Sequence, residues 1–167
     1  MIVEDEMKNN IAIVLLSLAV VVLGILLLVP KQQNQKNCEP EGKHKAYHEG
    51  SLNAITQCEN GHFEIKVVDD SLEGWFVGGG QDTNRAVRVS SDKIELTVFL
   101  PDGTNKELLL TASPLNLAGE KNGDCSHFTA AAPWLSDIKT FQATGKINFK
   151  GKWQPLIIQY PEGYDRD

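Results

Sequence analysis

The sequence lacks a cluster of basic residues. Its 16 lysines and arginines are scattered among 22 aspartates and glutamates, which gives a formal net charge of -6. Proteins that bind nucleic acid concentrate lysine and arginine on one face. The composition therefore argues against a nucleic-acid partner, and the length of 167 residues predicts one domain with accessory segments.

Signatures of catalysis are missing as well. No Gly-x-Ser-x-Gly segment provides a nucleophile elbow, and Asp124, Ser126 and His127 are near neighbours that do not easily line up as a relay. The glycine run at residues 78–80 lacks the Gly-Lys-Ser/Thr that completes a phosphate-binding loop. We therefore expect a protein that binds and does not catalyse.

Cysteine is scarce, and no Cys-x-x-Cys pair is present. The three cysteines, Cys38, Cys58 and Cys125, allow three single disulfide pairings. In an oxidising compartment, a bridge between Cys38 and Cys58 would tie the segment before the domain to its first strand, leaving Cys125 as the odd thiol. The residues alone leave the pairing open.

The longest apolar run covers residues 11–29 and reads IAIVLLSLAVVVLGILLLV, without a charge. At about 1.5 Å per residue, a helix of this length spans the roughly 30 Å hydrocarbon core of a bilayer. The run ends in Val29-Pro30-Lys31, without the small residues of a cleavage site. We therefore expect a retained single-pass transmembrane anchor, that is, a membrane protein of the signal-anchor type.

Two arguments disagree about the orientation of this anchor. Lys31, Lys36, Lys43 and Lys45 follow the run and only Lys8 precedes it, and an excess of lysine marks the cytoplasmic side. Long domains, however, cross the membrane largely regardless of their charge. The residues alone therefore leave the orientation of the anchor open.

The rest of the chain divides by composition. Residues 1–10 are predicted to form a tail, 30–50 a polar tether, 51–163 the folded domain and 164–167 a second tail. From residue 51 onward apolar and polar residues alternate, as in half-buried strands. About seven short strands without a convincing amphipathic helix predict an all-β domain, a small antiparallel β-sandwich of immunoglobulin-like type. The alternative fold is a partly open β-barrel.

Prolines and glycines mark the connections between these strands. Pro101 and Gly103 predict a hairpin turn, since proline presets φ and glycine accepts positive φ. Residues 113–140 are predicted to form a long loop with a helical turn starting at Pro133. Pro155 lacks an N–H group, which places the last strand at a sheet edge or a bulge.

Histidine and cysteine concentrate near the start of the domain. Thiolate and imidazole together suit zinc or a copper ion. Cys125 and His127 are also a candidate chelating pair, because residues two apart in an extended chain point to the same side. The spacing from Cys38 to His44 matches no standard zinc module, so structural and surface roles are the alternative. Five of the seven histidines and cysteines lie between residues 38 and 62: Cys38, His44, His48, Cys58 and His62.

Four motifs of the domain are His48-Glu49-Gly50, Gly61-His62-Phe63-Glu64, the segment from Ser113-Pro114-Leu115 to Asp124-Cys125-Ser126-His127-Phe128, and Tyr160-Pro161-Glu162-Gly163. These motifs resemble those of a family of single-domain bacterial envelope proteins associated with heavy-metal efflux systems of the tripartite pump type. They cover nearly all of the domain, from His48 to Gly163. The first motif departs from the family's His-Gly-Gly at Glu49, and the segment after Trp75-Phe76-Val77 is glycine-rich where relatives carry Asp and His.

This resemblance implies a domain on the periplasmic side of the inner membrane that binds a soft or borderline metal ion, zinc or copper, or assists a metal-efflux complex. His48 and His62 match the family's histidines and are the first candidate ligands. Cys58 and His44 are the next. The alternative is a structural interaction module without metal, whose edge strand or long loop docks a membrane partner in an envelope complex.

Overall fold

The computed structural model describes residues 44–56 and 60–164. The chain divides into two units, Met1–Asn37 and Cys38–Asp167, and every described residue belongs to the second. The strands are β1 (Ser51–Ala54), β2 (Gly61–Val68), β3 (Ser71–Gly78), β4 (Lys93–Phe99), β5 (Asn105–Ala112), β6 (His127–Ala131), β7 (Phe141–Phe149) and β8 (Lys152–Tyr160), with 3₁₀ turns at Asn116–Ala118 and Pro133–Leu135.

The described strands form one antiparallel sheet of eight strands, in the order β1-β2-β3-β6-β5-β4-β7-β8. Strands β4, β5 and β6 are successive neighbours, and β7 returns by a longer connection to pair with the other side of β4, which makes a Greek key. The all-β, antiparallel prediction is confirmed. The strands lie in one continuous sheet, whereas an immunoglobulin sandwich has two.

Hydrogen bonds join the two ends of this sheet, β1 and β8. Ser51 Oγ donates to the carbonyl of Gln159 (3.1 Å), and Asn53 Oδ1 accepts from the Gln159 N–H (2.9 Å). Asn53 Nδ2 donates to the carbonyls of Ser51 (3.0 Å) and Phe63 (3.2 Å). Tyr164, beyond β8, adds backbone hydrogen bonds to β1. The sheet therefore curls around one core, with a character between a barrel and a sandwich.

One face of the sheet carries the core. Alternate residues of a strand point to the same face, and on this inner face they form a single buried apolar cluster. Full burial of one phenylalanine side chain stabilises the fold by about 1.5–3 kcal/mol, so the largest side chains dominate the stability. Four fully buried phenylalanines belong to this cluster: Phe63, Phe76, Phe128 and Phe149.

The proline and glycine signals are confirmed where they mark turns and edges. Gly103 has φ +83° in the turn between β4 and β5, and Pro133 opens a 3₁₀ turn. Pro155 lies in β8, the last strand in the order of the sheet. At such an edge its missing N–H group removes no hydrogen bond from a sheet interior.

The prediction of a long loop with one helical turn over residues 113–140 is wrong in one respect, because β6 lies inside that range. The strand reads HFTAA, and alanine is depleted in strands. Only Phe128 and Ala130 of β6 are buried, so the alternating pattern is short and weak. Its position between β3 and β5 comes from pairing with strands distant in sequence, which a local pattern does not show.

The connection before β6 folds around a buried carboxylate. Glu120 is 6% exposed and accepts hydrogen bonds from Ser126 Oγ (2.6 Å), the Ser126 N–H (3.3 Å) and the Leu115 N–H (3.1 Å). Burial raises the pKa of Glu120, but these hydrogen bonds and the charge of Arg88 outweigh burial and hold the pKa below its ordinary value. Glu120 therefore fixes the loop as a carboxylate.

The apolar run at residues 11–29 lies outside the described residues. Within residues 44–56 and 60–164, no helix is long and apolar enough to cross a membrane. The membrane anchor stays a prediction from the sequence.

We expect Asn53→Ala to lower the free energy of unfolding by about 3 kcal/mol, because buried partners lose their hydrogen bonds. Urea unfolding followed by tryptophan fluorescence measures the change. Asn122→Ala, at an exposed position in the loop before β6, is the matched control. If the two variants unfold at the same urea concentration, the side chain of Asn53 does not hold the ends of the sheet together.

Candidate functional site

Residues 44–50 lie over the outer face of β2, where the sequence predicted the end of a polar tether. His62 and Glu64 occupy polar positions of the alternating strand, yet they are only 3% and 0% exposed. Thr83 Oγ1 donates to the carbonyl of Lys45 (2.6 Å), which holds the segment from its other side. The segment therefore adds a second layer to this part of the sheet.

Glu64 fixes the position of this segment. Its Oε1 accepts hydrogen bonds from the N–H groups of His48 and Gly50, both at 2.8 Å, and its Oε2 lies 3.0 Å from His48 Nδ1. Glu49 between them is left-handed, with φ 62°, and such a turn directs successive N–H groups into an anion-binding concavity. A Cβ at Gly50 would lie 2.4 Å from the carbonyl oxygen of Ile65, so glycine permits this close approach.

Next to Glu64 stands a stack of three rings. Glu64, Trp75 and His127 are cross-strand neighbours on β2, β3 and β6. The His48 ring stacks on the indole of Trp75 (centroids 4.2 Å apart, planes at 8°), and His127 stacks likewise (5.1 Å, 6°). His127 Nε2 lies 3.2 Å from Glu73 Oε2. Each imidazole thus lies beside a carboxylate and stacks on Trp75.

His44 and His62 form a second histidine pair. His44 Nδ1 lies 3.3 Å from His62 Nε2, with the rings edge to face. His62 Nδ1 lies 2.9 Å from the carbonyl oxygen of Gly78, which accepts only, so the neutral ring carries its proton on Nδ1. The lone pair of His62 Nε2 then faces His44. A cleft of about 340 Å³ borders the pair and is also lined by Glu162 and Tyr164.

The spacing of this pair suits metal coordination. Two nitrogens bound at 2.0–2.1 Å to one tetrahedral zinc ion stand about 3.3 Å apart. A metal-binding histidine commonly donates its other N–H to a carbonyl or carboxylate, as His62 does to Gly78. Without an ion, the same distance fits a hydrogen bond between the two rings.

The structure brings together two of the four predicted ligands. His44 and His62 are adjacent, whereas His48 binds Glu64 and stacks on Trp75. Cys58 lies outside the described residues. Among residues 44–56 and 60–164, no three histidines, cysteines or carboxylates form a group able to hold a metal ion.

Cys125 and His127 do not form the chelating pair considered from their spacing. Cys125 is a free thiol in the apolar core, 0% exposed, and its Sγ–H donates to the carbonyl of His127 (2.8 Å). Burial raises the pKa of the Cys125 thiol, which disfavours the thiolate that a metal requires. The His127 ring stacks on Trp75 instead.

Comparisons with protein families, with curated proteins and with solved structures find no match. The resemblance to envelope proteins of metal-efflux systems therefore stays a prediction from motifs.

We expect Glu64→Gln to loosen the segment over β2. The neutral amide keeps the shape of the side chain but removes the charge from a buried group that receives two N–H hydrogen bonds, at an expected loss of about 2 kcal/mol. Amide hydrogen exchange should accelerate at His48 and Gly50. Glu95→Gln, at an exposed glutamate of β4, is the control. Unchanged protection of both amides in Glu64→Gln would contradict the role given to Glu64.

Proposed function

We propose that this protein binds a zinc or copper ion between His44 Nδ1 and His62 Nε2. The observation that supports this function best is the 3.3 Å separation of the two nitrogens, which matches two ligands of one tetrahedral ion. Neutral imidazole nitrogens suit zinc and copper better than the oxygen-preferring calcium or magnesium. Two of the ligands expected from the sequence therefore form the core of the proposed site.

The surroundings of His62 favour this role. Its Nδ1–H donates to Gly78, at the end of β3, and this hydrogen bond fixes both the tautomer and the plane of the ring. His62 lies on β2 opposite Val77, and its side chain is almost completely buried. A ligand on a paired strand, held by a backbone carbonyl, is oriented before an ion arrives.

The ligand set favours exchange of the ion over permanent structural binding. Structural zinc sites use four protein ligands, whereas open sites leave a position for water or an incoming group. The described pair supplies two nitrogens and borders a cleft. The sequence offers Cys58, four residues before His62, as a further ligand. We infer a role in passing metal to or from an envelope export complex, from a domain tethered by residues 11–29.

A second function, docking of a membrane partner, is favoured by one other observation. Two exposed leucines lie at the 3₁₀ turn before β6: Leu115, which precedes the turn, is 50% exposed, and Leu117, within it, is 108% exposed. Leucine is under-represented among the residues that dominate binding energy at interfaces. Metal binding is therefore the stronger proposal.

The metal site predicts a selective loss on substitution. The full-length chain in mild detergent, stripped with EDTA, should bind zinc saturably at neutral pH in a competition titration with a chromogenic chelator. The double variant His44→Ala, His62→Ala should bind zinc at least tenfold more weakly. Loss of a hydrogen-bond partner of a metal ligand already lowers metal affinity by about tenfold or more, and here the ligands themselves are lost. Acidification should also weaken binding, because protonated imidazole has no lone pair for the metal.

His127→Ala is the matched control, since it removes a histidine from the outer face and spares the pair. It should bind zinc like the unmodified chain. Zinc binding that survives the double substitution, or an unmodified chain that binds none, would contradict the proposal. In the second case, loss of a membrane partner in Leu117→Ser would support the docking function.

A further inference from the structure

A separate groove lies on the outer face of the sheet, where β4 and β7 stop pairing. The register of β4 with β5 runs from Lys93 to Phe99, but its register with β7 begins only at Leu96. The unpaired ends leave a groove of about 600 Å³, within the range of small-molecule sites. Its main lining side chains are Lys93, Glu95, Thr97, Glu107, Lys146 and Trp153.

Trp153 makes this groove unlike an ordinary solvated face. It lies near the start of β8, opposite Asn148 of β7, and it is 72% exposed. By contrast, Trp75 is covered by two rings and Trp134 packs against the core. Aromatic side chains usually bury much of their large apolar surface, so an indole left open beside a polar groove points to a ligand that stacks on it.

The groove is lined by equal numbers of positively and negatively charged side chains. Lys93 and Lys146 stand against Glu95 and Glu107, and within the described residues neither lysine is within ion-pair distance of either glutamate. Thr97 Oγ1 donates to Glu107 Oε1 (3.2 Å). Ammonium groups donate and carboxylates accept hydrogen bonds, so the groove offers both kinds of partner without net charge.

We propose that this groove binds a neutral oligosaccharide. A pyranose ring presents an apolar C–H face, which fits the indole of Trp153, and a rim of hydroxyl groups that both donate and accept hydrogen bonds. Nucleic acid and other polyanions require an excess of lysine or arginine, which the balanced groove does not supply. The proposal rests on side chains of β4, β5, β7 and β8 and is independent of metal binding at the histidine pair.

The test uses the full-length chain in mild detergent and three neutral probes: cellotetraose, maltotetraose and the tetramer of N-acetylglucosamine. At least one should bind with a Kd of about 10 mM or lower. Binding should shift the indole N–H resonance of Trp153 in ¹H–¹⁵N spectra. Trp153→Ala should lower the affinity at least tenfold, and Glu95→Gln should lower it by a smaller factor.

Tyr47→Ala removes another exposed aromatic side chain, 63% exposed, outside the groove, and should leave the affinity unchanged. Equal urea midpoints for Trp153→Ala and the unmodified chain show that the fold is intact, as expected for an exposed side chain. If the alanine variant is less stable, Trp153→Phe replaces it in the test. This variant keeps an aromatic ring and should retain part of the affinity. Absence of binding by all three probes, unchanged affinity in Trp153→Ala, or tighter binding of tetragalacturonate would overturn the proposal.

Discussion

Glu64 carries the constraint on which the outer layer of this domain depends. A carboxylate without solvent is unstable unless hydrogen bonds replace the lost water. Glu64 is 0% exposed, and its partners are two backbone N–H groups and the ring of His48. Those partners all come from residues 48–50, so the buried side chain of Glu64 keeps its hydrogen bonds only while that segment stays on β2. The covering of the outer face follows from this requirement.

The arrangement of the histidines follows from the same contact. Once residues 48–50 are held on Glu64, the His48 ring is placed against Trp75, and the preceding residues run along β2 so that His44 reaches His62. The carboxylate thus orients one histidine directly and another through four residues of chain. Metal binding at His44 and His62 is therefore proposed to depend on a glutamate that does not touch the ion.

Local patterns predicted the strands whose inner residues are large and whose ends carry turn signals. β4 alternates isoleucine, leucine and valine with polar residues, and β5 buries Leu108 and Leu110 on the other side of the turn at Gly103. The prediction of both strands is confirmed. β6 has alanine where larger side chains would signal a strand, and it was missed. The second layer was missed for a different reason. Alternation marks His62 and Glu64 as outward-facing, but it does not show that another segment covers them.

Histidine side-chain nitrogen shifts, measured on the full-length chain by long-range ¹H–¹⁵N spectroscopy, test the central claim most directly. Before metal is added, His62 should carry its proton on Nδ1 and a lone pair on Nε2. Zinc should then shift His44 Nδ1 and His62 Nε2 and spare His48, and the response should weaken in Glu64→Gln. A zinc response at His48, or an undiminished response at His44 and His62 in Glu64→Gln, would show that Glu64 does not organise the metal site.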